Sequence, residues 1–258
     1  MPDSYPILSP DKPSAANAGK CALAVMAKAP RPGKVKTRLA PPLTLEQSAA
    51  LNTCFLRDTF TNIDSVEDAQ GIICYTPVGD EAMFDGLAPK SFALIAQRGD
   101  GFGDRLYLAA TDLLACGFSS VCLIDSDSPT IPYAALQQAV QALAQPGDRV
   151  VLGGSDDGGY YLIGLKAAHA AVFERITWST ASVFAETVER AAEADLELVE
   201  LPVWYDVDDG ATLRILAAEL LEGKRPFFAE TDGFDAVRTR EFLQSLAEGG
   251  SPPWHTAG

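Results

Sequence analysis

The chain has 258 residues, of which 47% are hydrophobic, enough to bury a core in one or two domains and to exclude disorder as its main state. Twenty basic residues stand against 35 acidic ones, a formal net charge of −15, which argues against a polyanion such as nucleic acid as principal ligand. No apolar run approaches the roughly 20 residues of a membrane span, and residues 1–20 lack the basic head and apolar core of a signal peptide. Cys21, Cys54, Cys74, Cys116 and Cys122 are odd in number and scattered, so reduced core thiols in a cytoplasmic protein are expected rather than a zinc cluster or a disulfide framework.

Short β-type runs occur at Cys21 to Ala27, Gly71 to Tyr75, Phe92 to Ala96, Val121 to Ile124, Arg149 to Leu152, Tyr160 to Leu165 and Leu196 to Leu201. Between them, apolar residues at helical spacing predict helices over Leu45 to Phe60, Asp104 to Ala115, Tyr133 to Leu143, Ala181 to Ala194 and Ala211 to Leu221. This alternation predicts an α/β fold with a mostly parallel sheet. One domain over 20–248 is expected, its last part, Phe227 to Leu246, reading as a loop and one helix, with flexible tails at 1–19 and 249–258. Polar residues that interrupt the pattern gather where strands end, the edge at which open α/β sheets bind ligands.

The first such edge is basic. Lys28, Arg31, Lys34, Lys36 and Arg38 fall within eleven residues that contain no acid, although the remaining chain carries −20 once this loop's +5 is set apart. Pro30, Pro32 and Gly33 shape a fixed turn, so cations and backbone donors can converge on phosphate; the plainer reading is a solvated basic turn. The loop matches neither the Walker nor the dinucleotide pattern.

Two later strand ends are acidic. Val121 to Ile124 runs into Asp125-Ser-Asp127, and strand alternation places the two carboxylates on one side, as hard oxygen ligands for magnesium, manganese or calcium. Helix capping by Asp127 or Ser128 is the alternative. Asp206, Asp208 and Asp209 form a second acidic knot, in which Asp208 or Asp209 also suits a cap for the helix near Ala211. With only His169 and His255 in the chain, a catalytic metal must be held by oxygen. Between the knots, the glycines around Ser155, Asp156 and Asp157 (Gly153, Gly154, Gly158, Gly159) let backbone approach a ligand, or make a strained hairpin. The turn does not fit a nucleophile elbow, and His169 reads as an ordinary helix residue. Gln97 to Arg105, with Gly103, Asp104 and Arg105, opens a helix whose N-terminus suits an anion, a base, a ribose or an acceptor, or simply connects two elements.

Taken in order, the segments Lys28-Ala-Pro-Arg-Pro-Gly-Lys-Val-Lys-Thr-Arg-Leu39, Gly101-Phe-Gly-Asp-Arg105, Asp125-Ser-Asp-Ser-Pro129, Asp156-Asp-Gly-Gly-Tyr160 and Asp206-Val-Asp208 resemble the rSAM/selenodomain-associated transferases, a glycosyltransferase-A-like family, over about residues 20–222. The resemblance implies the nucleotide-diphospho-sugar transferase fold, a three-layer α/β/α sandwich, and a metal-dependent transferase with Mg2+ or Mn2+. It implies a nucleotide-activated donor and a small-molecule acceptor, with neither nucleic acid nor membrane as partner. On this likeness Asp127, Asp206 and Asp208 are metal ligands and Asp125 lies near the ribose. Lys28, Arg31, Lys34, Lys36 and Arg38 hold donor phosphate, while Gly103, Asp104, Arg105, Asp156, Gly158, Gly159 and Tyr160 contact nucleotide or acceptor. Asp157 is the expected base for glycosyl transfer. Nucleotidyl transfer with release of pyrophosphate is the alternative, and a non-catalytic nucleotide-binding module is a third reading.

Overall fold

The computed structural model describes residues 5–248 and 252–255. In chain order the elements are β1 (Cys21–Lys28), α1 (Leu45–Asp64), β2 (Ala69–Thr76), β3 (Ala93–Ala96), α2 (Phe102–Ala115) and β4 (Ser120–Ile124). They continue with α3 (Tyr133–Ala144), β5 (Arg149–Ser155), β6 (Tyr160–Leu165), α4 (Val183–Glu193), β7 (Glu197–Trp204), α5 (Gly210–Glu222) and α6 (Val237–Ala247). The seven strands form one sheet in the order β3-β2-β1-β4-β6-β5-β7. Only β6 runs against its neighbours, pairing antiparallel with β4 and β5, whereas the other pairings are parallel.

Alternation along β1 explains the layers. Leu23, Val25 and Ala27 join a core with Leu51, Phe55 and Phe60 of α1, Leu136 and Val140 of α3 and Leu213 and Leu216 of α5. Ala22 and Ala24 face the opposite core, built with Leu106, Ala110 and Leu113 of α2 and Ala191 of α4. A strand buried on both faces needs apolar residues at every position, which is why β1 reads as an uninterrupted run, and each large aliphatic side chain so buried stabilises the fold by about 1.5–3 kcal/mol. Helix α1 starts at a capping box, in which Thr44 Oγ1 accepts from the Gln47 amide at 3.1 Å and Gln47 Oε1 accepts from the Thr44 amide at 2.8 Å. The three-layer α/β/α sandwich expected from the sequence is present. No helix among the described residues is long and apolar enough to cross a membrane, and all five cysteines are free thiols.

The expected tails differ. Tyr5 is buried, and residues 6–8 lie along β3: the Leu8 amide donates to Leu94 O at 2.8 Å and the Leu94 amide to Pro6 O at 2.9 Å. Apolar burial and paired backbone groups thus hold a segment whose polar composition suggested a free end. Residues 1–4, 249–251 and 256–258 lie outside the described residues, but Pro253–His255 forms a short 3-10 turn that buries Trp254. His169 is not a helix residue; it has extended backbone and its Nε2 lies 2.7 Å from Asp148 Oδ2.

Candidate functional site

The site follows from the sheet. The strand order turns around at β1, which pairs with β2 on one side and β4 on the other, and the crevice beside such a point opens at the carboxyl ends of the strands. Because β6 runs backwards, its first residue, Tyr160, arrives at the same edge as the ends of β4, β5 and β7. Two adjoining cavities open there, of about 430 and 290 Å³, and share Arg38, Asp127 and Asp208 as common walls.

The smaller cavity is the basic lobe, lined by Lys28, Lys34, Lys36 and Arg38 together with Asn52 and Ser126. Gly33 turns the loop at φ +71, and Lys36 itself adopts the left-handed conformation at φ 47, an uncommon state for a residue with a Cβ. That twist carries its ammonium inward, where the side chain is 3% exposed. Lys36 Nζ donates to Val207 O at 2.7 Å and lies 2.8 Å from Asp127 Oδ1 and 3.0 Å from Asp208 Oδ1, so each of its three protons has an acceptor. Burial works against the charge, but Asp127 and Asp208 outweigh it and hold the lysine pKa above its ordinary value. Arg38 pairs with the other oxygen of Asp208.

The larger cavity is the acidic lobe, with Asp125, Asp127, Asp157, Asp206 and Asp208 along one side and Phe102, Tyr160 and Trp178 on its wall. Strand β4 ends at Ile124, so the alternation expected to set Asp125 and Asp127 side by side does not apply. Instead Asp125 folds over its own turn: Oδ1 accepts from the Asp127 and Ser128 amides, both at 3.1 Å, and Oδ2 from Ser128 Oγ at 2.7 Å. Burial, then the charges of Asp127 and Asp206, push this carboxyl well above the usual range despite those bonds. Burial, then Asp208, Asp157 and Asp127, raise Asp206 to about 7, with Lys36 opposing. Asp157 Oδ1 accepts from the Gly159 amide at 2.8 Å.

Two of the three aspartates at the second knot divide their labour. Asp209 caps α5, accepting from the Ala211 and Thr212 amides at 2.8 and 2.9 Å, whereas Asp208 lines the cleft, one oxygen on Lys36 and the other on Arg38. Asp125, Asp127, Asp157, Asp206 and Asp208 line one cavity, and carboxylate oxygens so grouped are a donor set that fits a hard divalent cation. Among the described residues no three metal-binding side chains gather into a ready cage. Magnesium commonly takes one or two carboxylates and completes its shell with water and substrate phosphate, and Asp127 with Asp206 or Asp208 suits that form of binding.

A protein from Desulfovibrio desulfuricans G20, described as a candidate nucleotide-diphospho-sugar transferase, is 31% identical to this chain, with 90% of this chain and 96% of that one covered and a TM-score of 0.75. The family described as "Uncharacterized protein conserved in bacteria (DUF2064)" matches residues 59–180. The chain belongs to the DUF2064 family. At 12% identity the CMP:2-keto-3-deoxy-manno-octonic acid synthetase complexed with CTP shares the fold over 80% of this chain and all of that one, TM-score 0.52. The 4-diphosphocytidyl-2C-methyl-D-erythritol synthase of Anaerococcus prevotii DSM 20548 does so over 82% of this chain and all of that one, also at 12% identity, TM-score 0.50. No curated protein matches the sequence.

In this DUF2064 protein most of the expected site residues meet in the cleft, and some do not. Arg31 leaves the basic lobe to pair with Asp80, at 2.6 Å from Nη2. Gly103, Asp104 and Arg105 line neither of the two cavities. Asp104 instead accepts from the Gly101 amide at 3.3 Å to close the start of α2, and Gly103 lies under Trp178, whose Nε1 would be 2.6 Å from an added Cβ. Gly158 serves the chain rather than a ligand: at φ +91 an added Cβ would stand 2.1 Å from Ala181 O. Asp156 also stands outside both linings, its amide donating to Trp204 O at 2.9 Å. Sequence reasoning missed Asn52, Trp178 and Thr180 as lining residues. Each is a single polar or aromatic residue inside a helix or loop of ordinary composition, and only the fold brings it to the edge.

Proposed function

We propose that this DUF2064 protein is a metal-dependent transferase that moves a glycosyl group from a nucleotide-activated donor to a small-molecule acceptor. The observation that carries this reading is the junction of the two lobes, where Lys36 and Arg38 meet Asp127 and Asp208, so that phosphate and cation sites share one wall. The five ordered sequence motifs support membership of the rSAM/selenodomain-associated branch and cytoplasmic small-molecule chemistry.

Lys28, Lys34 and Arg38 bind the donor phosphates by charge-assisted hydrogen bonds, while Lys36, with its three protons engaged by Val207 O, Asp127 and Asp208, fixes the wall beneath them. Asp127 with Asp206 or Asp208 holds Mg2+ or Mn2+, which supplies further positive charge against the departing diphosphate. Asp125, fixed by its own turn, stands beside the ribose. Asp157 uses the carboxylate oxygen not engaged by Gly159 to take the proton of the acceptor hydroxyl. The bond from the sugar carbon to the diphosphate oxygen breaks, the acceptor oxygen forms the new bond, and the leaving negative charge rests on the basic lobe.

Four cations around one small lobe favour a second reading, nucleotidyl transfer, because they also suit the larger charge of a triphosphate. The deciding experiment supplies magnesium, mixed nucleotide sugars, mixed nucleoside triphosphates and a pool of small-molecule acceptors. Acceptor-dependent release of free nucleotide from the sugar donors is expected; acceptor-dependent pyrophosphate with the sugar donors untouched selects the second reading.

A further inference from the structure

The acidic lobe has one wall that phosphate chemistry does not use. Phe102 at the start of α2, Trp178 in the loop before α4 and Tyr160 at the start of β6 line the 430 Å³ cavity. Phe102 and Trp178 meet edge to face with centroids 5.2 Å apart at 68°, and Tyr160 meets Trp178 at 6.4 Å and 76°. Phe102 is 50% exposed, so its ring is open to contact from the cavity. The absence of a side chain at Gly103 admits the indole against the first turn of α2. Tyr160 turns its hydroxyl into the protein, where Oη is buried without a hydrogen-bond partner among the described residues, so what it offers the cavity is ring surface. Asp157, Asp206 and Thr180 line the same cavity.

An aromatic wall sharing a cavity with carboxylates and hydroxyls matches a molecule with an apolar face and a polar perimeter. A saturated ring bearing hydroxyl groups has that form: its C–H bonds, positive at hydrogen, lie on the electron-rich ring face, and its hydroxyls donate to carboxylates. We infer that Phe102, Trp178 and Tyr160 form a subsite for a hydroxylated saturated ring of the pyranose class. The subsite rests on the transferase reading for its biological use, and the ring belongs either to the donor, as the group transferred, or to the acceptor. A nucleobase stacked on the same wall is the competing occupant.

The test compares the full chain with Trp178→Ala, Trp178→Phe and Phe102→Ala, after thermal melts establish that each is folded. Titration calorimetry and saturation-transfer NMR measure three probe classes: UDP, GDP and CDP; UDP-glucose and GDP-mannose; and methyl glucoside and methyl mannoside. Nucleoside diphosphate affinity is expected to stay within about twofold, while a ring-bearing probe loses roughly tenfold in Trp178→Ala, about 1.4 kcal/mol, less in Phe102→Ala, and is restored in Trp178→Phe. Loss confined to nucleotide sugars assigns the ring to the donor, and loss confined to methyl glycosides assigns it to the acceptor. If no ring-bearing probe weakens in Trp178→Ala or in the exposed-site variant Phe102→Ala, the subsite is overturned. If nucleoside diphosphates weaken in parallel, the nucleoside occupies the wall and the subsite is again overturned. A wild-type chain that binds the glycosides but no nucleoside diphosphate removes the donor reading and leaves the ring subsite standing.

Discussion

The two lobes of the cleft treat charge in opposite ways. In the basic lobe Lys36 is sealed from water and satisfied by three acceptors, so its charge is compensated within the protein. In the acidic lobe Asp206 is pushed up to about 7 because burial and neighbouring carboxylates outweigh Lys36, and its charge awaits a partner. The pairing lesson is that an internal ion pair organises a site, whereas uncompensated charge recruits a ligand. Asp127 and Asp208 belong to both lobes and couple the two behaviours.

The largest break in this comparison comes from Lys36→Met. Three acceptors lose their donor and two carboxylates face each other unshielded, so stability should fall by about 2 kcal/mol, near the value of one or two hydrogen bonds to a charged group, and nucleoside diphosphate binding should disappear. Urea unfolding and calorimetry with UDP, GDP and CDP measure both; a variant as stable as the wild type, with diphosphate affinity intact, contradicts the organising role.

Neighbouring aspartates sharpen the contrast next. Asp208→Asn should abolish the magnesium dependence of nucleoside diphosphate binding with little change in fold. Asp209→Ala should leave that dependence alone and cost about 1 kcal/mol through the lost cap. Thermal melts with and without magnesium separate them, and identical behaviour of the two variants refutes the division of labour.

A smaller effect concerns a carboxylate outside both lobes. Burial raises the pKa of Glu219, against the hydrogen bonds it accepts from Tyr205 and Thr130. A raised carboxyl pKa contributes stability that is full below the unfolded value and lost as pH rises through the folded one. Wild-type urea midpoints should therefore fall relative to Glu219→Gln as pH climbs from the ordinary glutamate range through the raised value. Parallel curves for the two proteins exclude the shift.

Arg31→Ala should do least. Its pair with Asp80 is half-exposed, so a stability loss below about 1 kcal/mol and unchanged diphosphate affinity are expected. A steep affinity loss in the same calorimetry returns Arg31 to the phosphate site.

The sheet was legible because buried strands are short and apolar, and because the helices between them keep their spacing and signal their starts, as Thr44 and Gln47 do for α1. Among site residues, those that interrupt such a strand just past its end, Lys28, Asp125, Asp127, Asp206 and Asp208, could be found from local pattern. Arg31 could not be told from Lys36, since the distinction depends on Asp80, distant in sequence, and on a left-handed backbone at residue 36. Trp178 was invisible for a related reason: it reaches the cleft only by packing over Gly103, a contact between residues 75 positions apart that no local pattern encodes.

Residues 6–8 close one edge of the sheet. A terminal strand leaves a row of unpaired amides and carbonyls, the template on which another chain can add itself. Here the exposed side of β3 is occupied by the protein's own leading segment, with Leu94 bonded in both directions and Tyr5 anchored by its hydroxyl to Ala88 O at 2.6 Å. The segment acts as a built-in edge guard. A version of the chain shortened to begin at Lys20 would keep every cleft residue and yet present a bare β-edge, so its expected defect is self-association rather than loss of ligand binding.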